Sequence, residues 1–145
     1  MGANRAMSAQ TRGILEFAVL GPGDEAIAAL EALASRNGIK AASFVAIGAF
    51  SSVTLGYFDR QSRSYERLAY AEQVEVCSLV GNIGWLDGKP KVHAHCVIGL
   101  RDGSTRGGHL IEGQVWPTLE IRLEILPTEL ARVHDPEIGL ALLEL

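Results

Sequence analysis

A single segment of this 145-residue chain has apolar residues at helical spacing. Between Asp24 and Gly38, apolar side chains recur every three or four positions, at Ile27, Leu30, Leu33 and Ala34. This spacing is typical of an amphipathic helix. Asp24 is a suitable N-cap, Glu25 favours the first turn, and Asn37 with Gly38 supplies a stop. One helix of this length leaves most of the chain for a sheet.

The other segments alternate apolar and polar residues, or are rich in β-branched and aromatic residues, as strands are. The predicted strands are residues 13–20, 39–58, 65–72, 74–86, 91–100, 109–116 and 118–126. Segment 39–58 is expected to be one long bent strand, or two strands sharing a kink at a glycine. The tail after Pro127 is either a short helix or an edge strand. The pattern predicts a single compact α+β domain in which one major helix packs on a mostly antiparallel sheet.

Composition limits the classes of function. The polar residues 1–12 are expected to form a flexible lead to one domain spanning residues 13–145. No signal peptide and no apolar run of membrane-spanning length can be identified, which predicts a cytoplasmic protein without a membrane partner. Thirteen basic against 17 acidic residues give a net charge of −4. Direct nucleic-acid binding usually needs a basic face, so this balance argues against it.

The two cysteines, Cys77 and Cys96, lie inside apolar runs. In a reducing compartment such residues are more often buried free thiols than a disulfide. Both are therefore predicted to be buried and reduced.

Three of the four histidines lie in one stretch, residues 92–110. Side chains two apart on a strand project from the same face, so His93 and His95 project together while Cys96 faces the other way. A hairpin centred on Asp102 would place His109 directly across from His95. A shift of one residue would put His109 on the opposite face, and the sequence leaves this register open.

Three neutral imidazoles on one face suit zinc and leave a fourth position for water or a ligand. Nickel, copper and iron accept the same donors. The alternative is that His93 and His95 are ordinary strand residues and that His109 merely ends a turn. His134 has no partner at a useful spacing and is predicted to be a surface residue.

Other candidate chemistries are weaker. Glu75 and Glu112 are the carboxylates nearest the histidine strands, and either could serve as a general base. Glu112 is three residues from His109 on a strand, so it would face away without a bulge or a neighbouring subunit. No nucleophile elbow is present, and "GPGDEA" lacks the third glycine of a dinucleotide-binding fingerprint.

Taken in order, four blocks of the sequence resemble the plant and prokaryote conserved (PPC) domain, over residues 13–145. The blocks are "GDEAIAALEALASRNGIKAASFVAIGAFSSVTLGYFD", "VEVCSLVGNIG", "HAHCVIGLRDGSTRGGHLIEGQV" and "LEIRLEIL". The resemblance implies a compact α+β fold that assembles as a homotrimer. It also implies a metal site, because His93, His95 and His109 match the H-x-H and G-G-H of metal-binding prokaryotic members.

The resemblance bears on partners as well. In plants the domain follows AT-hook motifs in nuclear proteins, and the DNA-binding label of stand-alone prokaryotic members is borrowed from them. This chain contains no R-G-R-P motif, so minor-groove binding is not implied. "VEVCSLVGNIG" resembles the plant segment for assembly and partner contact, which implies an interface role for Glu75, Cys77 and Leu79.

Two functions remain for such a stand-alone PPC-domain protein. The first is a homotrimeric regulatory module with a three-histidine metal site, reaching DNA only through a protein partner. The second is a small zinc-dependent enzyme in which a metal-bound water attacks a small molecule. The sequence names no substrate, DNA site or protein partner.

Overall fold

The structure is a computed structural model that describes residues 13–144, so the predicted flexible lead of residues 1–12 lies outside the described residues. These described residues form eight strands and one helix. Their bounds are β1 Ile14–Leu20, α1 Ala26–Asn37, β2 Ala42–Asp59, β3 Ser64–Tyr70, β4 Val74–Leu86, β5 Lys89–Gly99, β6 Thr105–Ile125, β7 Ala131–Asp135 and β8 Leu140–Glu144. At 12 residues, the one helix in this part of the chain is too short to cross a bilayer.

The strands form one sheet, antiparallel except where β4 meets β7. Strand β2 pairs with both β6 and β4, and β5 pairs with the same two strands, so these four close into a cycle. Where these ladders pair, each of the four strands has a neighbour on both sides. The α+β prediction is confirmed, whereas the closure was not predicted.

The helix α1 packs against β5 and β6 and buries one stripe of small and apolar residues, Ala26, Leu30 and Ala34. It ends as predicted, because Gly38 takes the left-handed conformation with φ of 63°. Glycine adopts this conformation without a steric penalty from a Cβ atom. The helix therefore closes the interior of the sheet from one side.

The predicted N-cap was wrong by one residue. The Glu25 carboxylate accepts hydrogen bonds from the backbone N–H groups of Ile27 and Ala28, at 3.2 and 2.8 Å. Asp24 instead accepts from the N–H of Gly21 at 2.9 Å and closes the preceding turn. Glu25 occupies the N-cap position, and its long side chain reaches the amides of the first helical turn.

Strand β2 is the single bent strand of the two predicted alternatives. Its register against β4 shifts between Ala46 and Gly48, where φ is 152°. A Cβ atom at Gly48 would collide with the backbone of Thr118 and Leu119. The glycine therefore lets β2 bend across β6.

Strand β6 joins two segments that the sequence predicted as separate strands. Pro117 lies between these two segments and cannot donate a ladder hydrogen bond. In the structure, residues 116–118 fall between the two stretches that pair with β2, beside Val115 and Leu119. The missing N–H therefore interrupts no ladder, and the strand continues.

The tail forms the β7–β8 hairpin, which decides the open alternative in favour of strands. It is attached to the end of β4, where the N–H of Trp85 donates to the carbonyl of Leu130 at 2.7 Å. This attachment brings the hairpin over the histidine end of β5.

The core fills the closed sheet, with Phe50, Leu30, Leu55, Leu79, Ile83 and Ile98 among its fully buried side chains. Both cysteines are free. Cys96 is buried as predicted, but the prediction for Cys77 was wrong, because Cys77 is exposed. At the start of β4 Val74 and Val76 are buried, so the alternation places Cys77 on the exposed face with Glu75.

Candidate metal centre

Strand pairing brings the three predicted histidines together. His95 lies directly across from His109 in the β5–β6 ladder, which is the register of a hairpin centred on Asp102. The ring centroids of His93 lie 5.2 Å from His95 and 5.3 Å from His109, and the other two rings are 5.7 Å apart. Ligand nitrogens of the three rings all lie within 4.8 Å of one another. Nitrogens bound to one zinc would lie about 3.4 Å apart, a spacing that small ring rotations can provide.

The β5–β6 ladder ends at this histidine pair, and the two strands separate beyond it. The N–H of Val92 on β5 donates to the Glu31 carboxylate at 3.1 Å. The N–H of Gly113 on β6 donates to the Glu25 carboxylate at 3.0 Å. These bonds satisfy amides that the separation would otherwise leave unpaired. We call the opening between β5 and β6 the fork.

A cavity of about 580 Å³ lies in the fork, a size typical of small-molecule sites. Side chains of the helix, both strands and the β7–β8 hairpin form its apolar wall, among them Ile27, Leu110, Ile111, Leu140 and Leu142. His93 and His109 line the cavity. His95 is exposed on the outer face of the sheet. A metal held by all three would therefore border the cavity.

The surroundings of the histidines favour their neutral forms. Burial, followed by the charges of His93, His95 and Lys91, lowers the pKa of His109 to about 4. Burial, followed by the charges of Arg132 and His95, also lowers the pKa of His93. Neutral imidazole is the form that binds metals.

A buried histidine nitrogen without a hydrogen-bond partner indicates that these residues fit a metal. His109 Nδ1 is buried and has no hydrogen-bond partner, although buried polar atoms nearly always have one. Beside two other imidazoles, this nitrogen is available as a ligand. The donor set of three histidines fits zinc and related divalent ions.

The orientation of His109 is fixed by an aromatic residue that sequence reasoning missed. Tyr65 on β3 stacks on the His109 ring, with centroids 4.6 Å apart and planes inclined by 22°. Phe58 packs edge-on against Tyr65 at 5.2 Å, and burial raises the pKa of the Tyr65 hydroxyl. No local pattern links Tyr65 to the histidines, because its strand reaches them only through β2.

The structure also separates the two predicted general-base candidates. The β2–β6 register shifts between Thr54 and Leu55, so that Glu112 faces Thr54. The bulge required to bring Glu112 to the same face as His109 is therefore present. The Glu112 carboxylate accepts from the Thr54 hydroxyl at 3.1 Å and lies 3.7 Å from Arg67. Glu75 pairs with Gly99 at the far end of β5, away from the histidines.

The remaining predicted residues lie elsewhere. Glu75 and Cys77 are exposed, whereas Leu79 is fully buried in the core. The interface role of these three residues stays a prediction. His134 is exposed, as predicted, with its Nε2 atom 3.5 Å from Asp87.

Three cationic side chains around the cavity were missed by sequence reasoning: Arg67 on β3, Lys91 on β5 and Arg132 on β7. Lys91 precedes His93 by two residues, so the same-face rule could have found it. The other two come from strands distant in sequence. Arg132 is only 8% exposed and donates to Asn82 at 2.6 Å and to the Ala141 carbonyl at 3.1 Å.

Fold and site together define a class of protein: a closed antiparallel sheet with one helix and an open three-histidine cluster where two strands separate. The Plants and Prokaryotes Conserved (PCC) domain matches residues 7–127 of this chain. The chain belongs to this family, also abbreviated PPC, which confirms the resemblance seen in the sequence.

Similar solved structures include a PPC protein of Pyrococcus horikoshii, with 32% identity, a TM-score of 0.86 and coverage of 91% of this chain and 92% of the other. The metal-containing protein of Archaeoglobus fulgidus has 33% identity, a TM-score of 0.85 and coverages of 91% and 94%. A Ralstonia eutropha JMP134 protein, provisionally named as DNA-binding, has 34% identity, a TM-score of 0.85 and coverages of 92% and 96%. No curated protein matches the chain.

Proposed function

We propose that this PPC-domain protein is a homotrimeric metal-binding module that holds one divalent transition metal, zinc above all, through His93, His95 and His109. The observation that carries the proposal is the clustering of their ligand nitrogens within 4.8 Å, beside a cavity. Zinc bound there would act as a Lewis acid and lower the pKa of a bound water. The name of the Archaeoglobus fulgidus relative, a metal-containing protein, supports the proposal.

The chemistry of the nearby thiol supports a nitrogen-only donor set. Cys96 lies next to His95 in sequence, but its side chain is buried in the core on the opposite face. Burial, followed by the charge of Cys77, raises the pKa of the Cys96 thiol to about 12. Because the thiolate is the form that binds metals, this cysteine stays out of the site. Three imidazoles favour zinc, nickel or copper(II) over soft thiolate-seeking ions.

Metal analysis of protein purified without an affinity tag tests the site. We expect about one metal ion per chain, and its loss in the double variant His93→Ala and His109→Ala. His134→Ala is the matched control, because His134 is exposed and outside the cluster. Less than about one metal per three chains, or unchanged metal content in the double variant, would show that the proposed site is wrong.

The homotrimer is supported by an apolar patch on the outer face of the sheet. Large apolar side chains that are at least 41% exposed cluster there: Phe17, Val19, Val45, Ile47, Val80 and Val97. Strand register continues this face across β1, β6, β2 and β4 to His95 on β5. On β6 this face carries Glu120 and Arg122 between the apolar residues of β1 and β2. Exposed apolar side chains grouped in this way are typical of interfaces between subunits. Further copies of the chain covering the patch would also shield His95.

Light scattering coupled to size-exclusion chromatography tests the assembly. We expect a mass three times the chain mass of 15.5 kDa. Ile47→Lys places a charge within the patch and should reduce the mass to that of one chain. Val133→Lys is the control, because Val133 is 48% exposed but lies on the β7–β8 hairpin. A monomeric native protein, or equal masses for both variants, would contradict the assembly.

We propose that any association of this protein with DNA is indirect and requires a protein partner. The provisional name of the Ralstonia eutropha relative points to DNA. This chain carries a net charge of −4 and has no AT-hook, so its own surface offers little attraction for phosphates.

A zinc-dependent enzyme is the second candidate, favoured by the cavity beside the three histidines. Such an enzyme would use a metal-bound water, with the cavity positioning a small molecule. Hydrolysis of a panel of small esters and lactones by zinc-loaded protein tests it. Turnover that needs zinc and is lost in His109→Ala would support the enzyme, whereas rates equal to those with zinc alone would exclude activity on these substrates.

A further inference from the structure

We infer that the cavity takes a small organic carboxylate, with the anionic head toward the cations at the fork and an apolar body against the cavity wall. The inference deepens the proposed function, since the open position on the metal would face the same ligand.

The charge of the cavity lining is the first support. Arg67, Lys91 and Arg132 line the cavity, and no aspartate or glutamate within residues 13–144 does so. Glu112, which is not part of the lining, partly compensates Arg67 at 3.7 Å. In the described part of the chain, no carboxylate lies within 4.0 Å of a Lys91 or Arg132 nitrogen. Two cations without matching acids, Lys91 and Arg132, together with the partly compensated Arg67, form a site for an anion.

The burial of Arg132 is the second support. It is only 8% exposed, and its Nε atom is buried without a hydrogen-bond partner. Its other two nitrogens donate to neutral groups, Asn82 and the Ala141 carbonyl. Burying a guanidinium without an opposite charge is unfavourable. A ligand carboxylate would supply that charge, and arginine matches its geometry.

The rest of the lining selects a carboxylate with an apolar body. Ile27, Leu110, Ile111, Leu140 and Leu142 offer apolar contacts, and among the described lining residues only the Tyr65 hydroxyl adds a side-chain donor beyond the cations and histidines. A phosphate group would use more donors, and the start of a helix is a common source of them. Here Glu25 already occupies the free N–H groups of Ile27 and Ala28 at the start of α1. The geometry therefore favours a carboxylate over a phosphate.

Calorimetric titration of zinc-loaded protein with four ligands of equal chain length tests the inference: hexanoate, hexan-1-ol, hexylamine and hexyl phosphate. We expect hexanoate to bind at least about tenfold more tightly than hexan-1-ol, and hexylamine to bind most weakly. Hexyl phosphate should bind no more tightly than hexanoate. If hexanoate binds no better than hexan-1-ol, including the case where neither binds, the inference is wrong. Tighter binding of hexyl phosphate would overturn the choice of a carboxylate.

A pair of lysine variants on one strand tests the location of the ligand. Lys91→Glu should weaken hexanoate binding by about tenfold or more, because it reverses a charge at the cavity. Lys89→Glu makes the same change on β5 outside the lining and should alter binding by no more than about twofold. Equal effects of the two variants would show that hexanoate does not bind in the cavity.

Metal content measured on the same samples keeps the two proposals distinguishable. Bound zinc without a preference for hexanoate would overturn the carboxylate inference and leave the metal site intact. If no zinc binds, the same titrations are made on the metal-free protein. A preference for hexanoate that Lys91→Glu removes would then support the anion site while the metal site fails, and no preference would overturn both.

Discussion

His109 is the histidine whose surroundings differ most from water. Its ring is stacked by Tyr65, its Nδ1 atom is buried without a partner, and its pKa is lowered to about 4. In the metal-free protein this imidazole is therefore neutral over the physiological pH range. Burial makes protonation of His109 unfavourable in the folded state and so keeps the imidazole in the neutral form that binds metals.

Acid should destabilise the metal-free protein through this residue. The unfolded chain protonates His109 near its ordinary pKa of 6.5, whereas the folded chain does so only near 4. Between these values the unfolded state binds more protons, so the free energy of unfolding falls as the pH falls. At about 1.4 kcal/mol per pKa unit, the loss from His109 is at most about 3 kcal/mol. Urea unfolding from pH 7 down to pH 4 measures it.

Two variants isolate the contribution of His109 to this pH dependence. His109→Gln should flatten the dependence, because the titrating group is removed. His134→Gln should retain the slope, because its exposed side chain is outside the cluster. An unchanged slope in His109→Gln would show that another group is responsible.

Among the elements, α1 is tied to the sheet by Glu25. This carboxylate caps the helix at Ile27 and Ala28 and also accepts the N–H of Gly113 on β6. One side chain thus caps the helix and connects it to β6 within the fork. Asp24 contributes only to the preceding turn.

Replacing Glu25 should therefore cost more than replacing Asp24. Glu25→Ala leaves the cap and the Gly113 amide unsatisfied, and should lower the free energy of unfolding by about 2–3 kcal/mol. Asp24→Ala should lower it by about 1 kcal/mol or less. Denaturant unfolding of both variants measures the difference. A larger loss in Asp24→Ala would restore the cap assignment expected from the sequence.

The bend of β2 should require a glycine at position 48. Gly48→Ala adds a Cβ that collides with the backbone of Thr118, at a φ of 152° that other residues rarely adopt. We expect a loss of about 3 kcal/mol or more in the free energy of unfolding. Gly21→Ala is the control, because a Cβ there meets open space, and should change stability by less than about 1 kcal/mol. Similar losses in both would mean that the bend does not require glycine.

At the scale of the whole molecule, an acidic net charge and an exposed apolar face occur together. The net charge of −4 limits attraction to phosphates, while the patch around Ile47 favours contacts with protein. Binding should therefore depend mainly on apolar contacts between chains. Long-range attraction to nucleic acid should contribute little.

We accordingly expect the chain alone to leave duplex DNA unbound even at about 20 mM salt, where phosphate contacts are strongest. Fluorescence anisotropy of a labelled AT-rich duplex, at about 20 and about 150 mM salt, measures this. Binding at the lower concentration that weakens at the higher one would contradict the prediction, because that dependence is the signature of phosphate contacts.

The sequence by itself determined what depends on neighbours along the chain. The helix and its stop at Gly38, the alternation of the strands, and the shared face of His93 and His95 all follow from local spacing. The sequence left the register of His109 open, and the structure has the hairpin centred on Asp102 that places His109 across from His95. The alternation of side chains along a strand assigns each of them to a face of the sheet, but it does not determine which strand pairs with which.

Only the tertiary structure decided what depends on distant segments. A bulge shifts the alternation of β6, so it brought Glu112 to the face of His109. The closed sheet placed Tyr65 against His109, and the C-terminal hairpin carried Arg132 into the cavity lining. Each of these contacts joins residues that are far apart in the chain, because sheet closure and packing select them and local spacing does not.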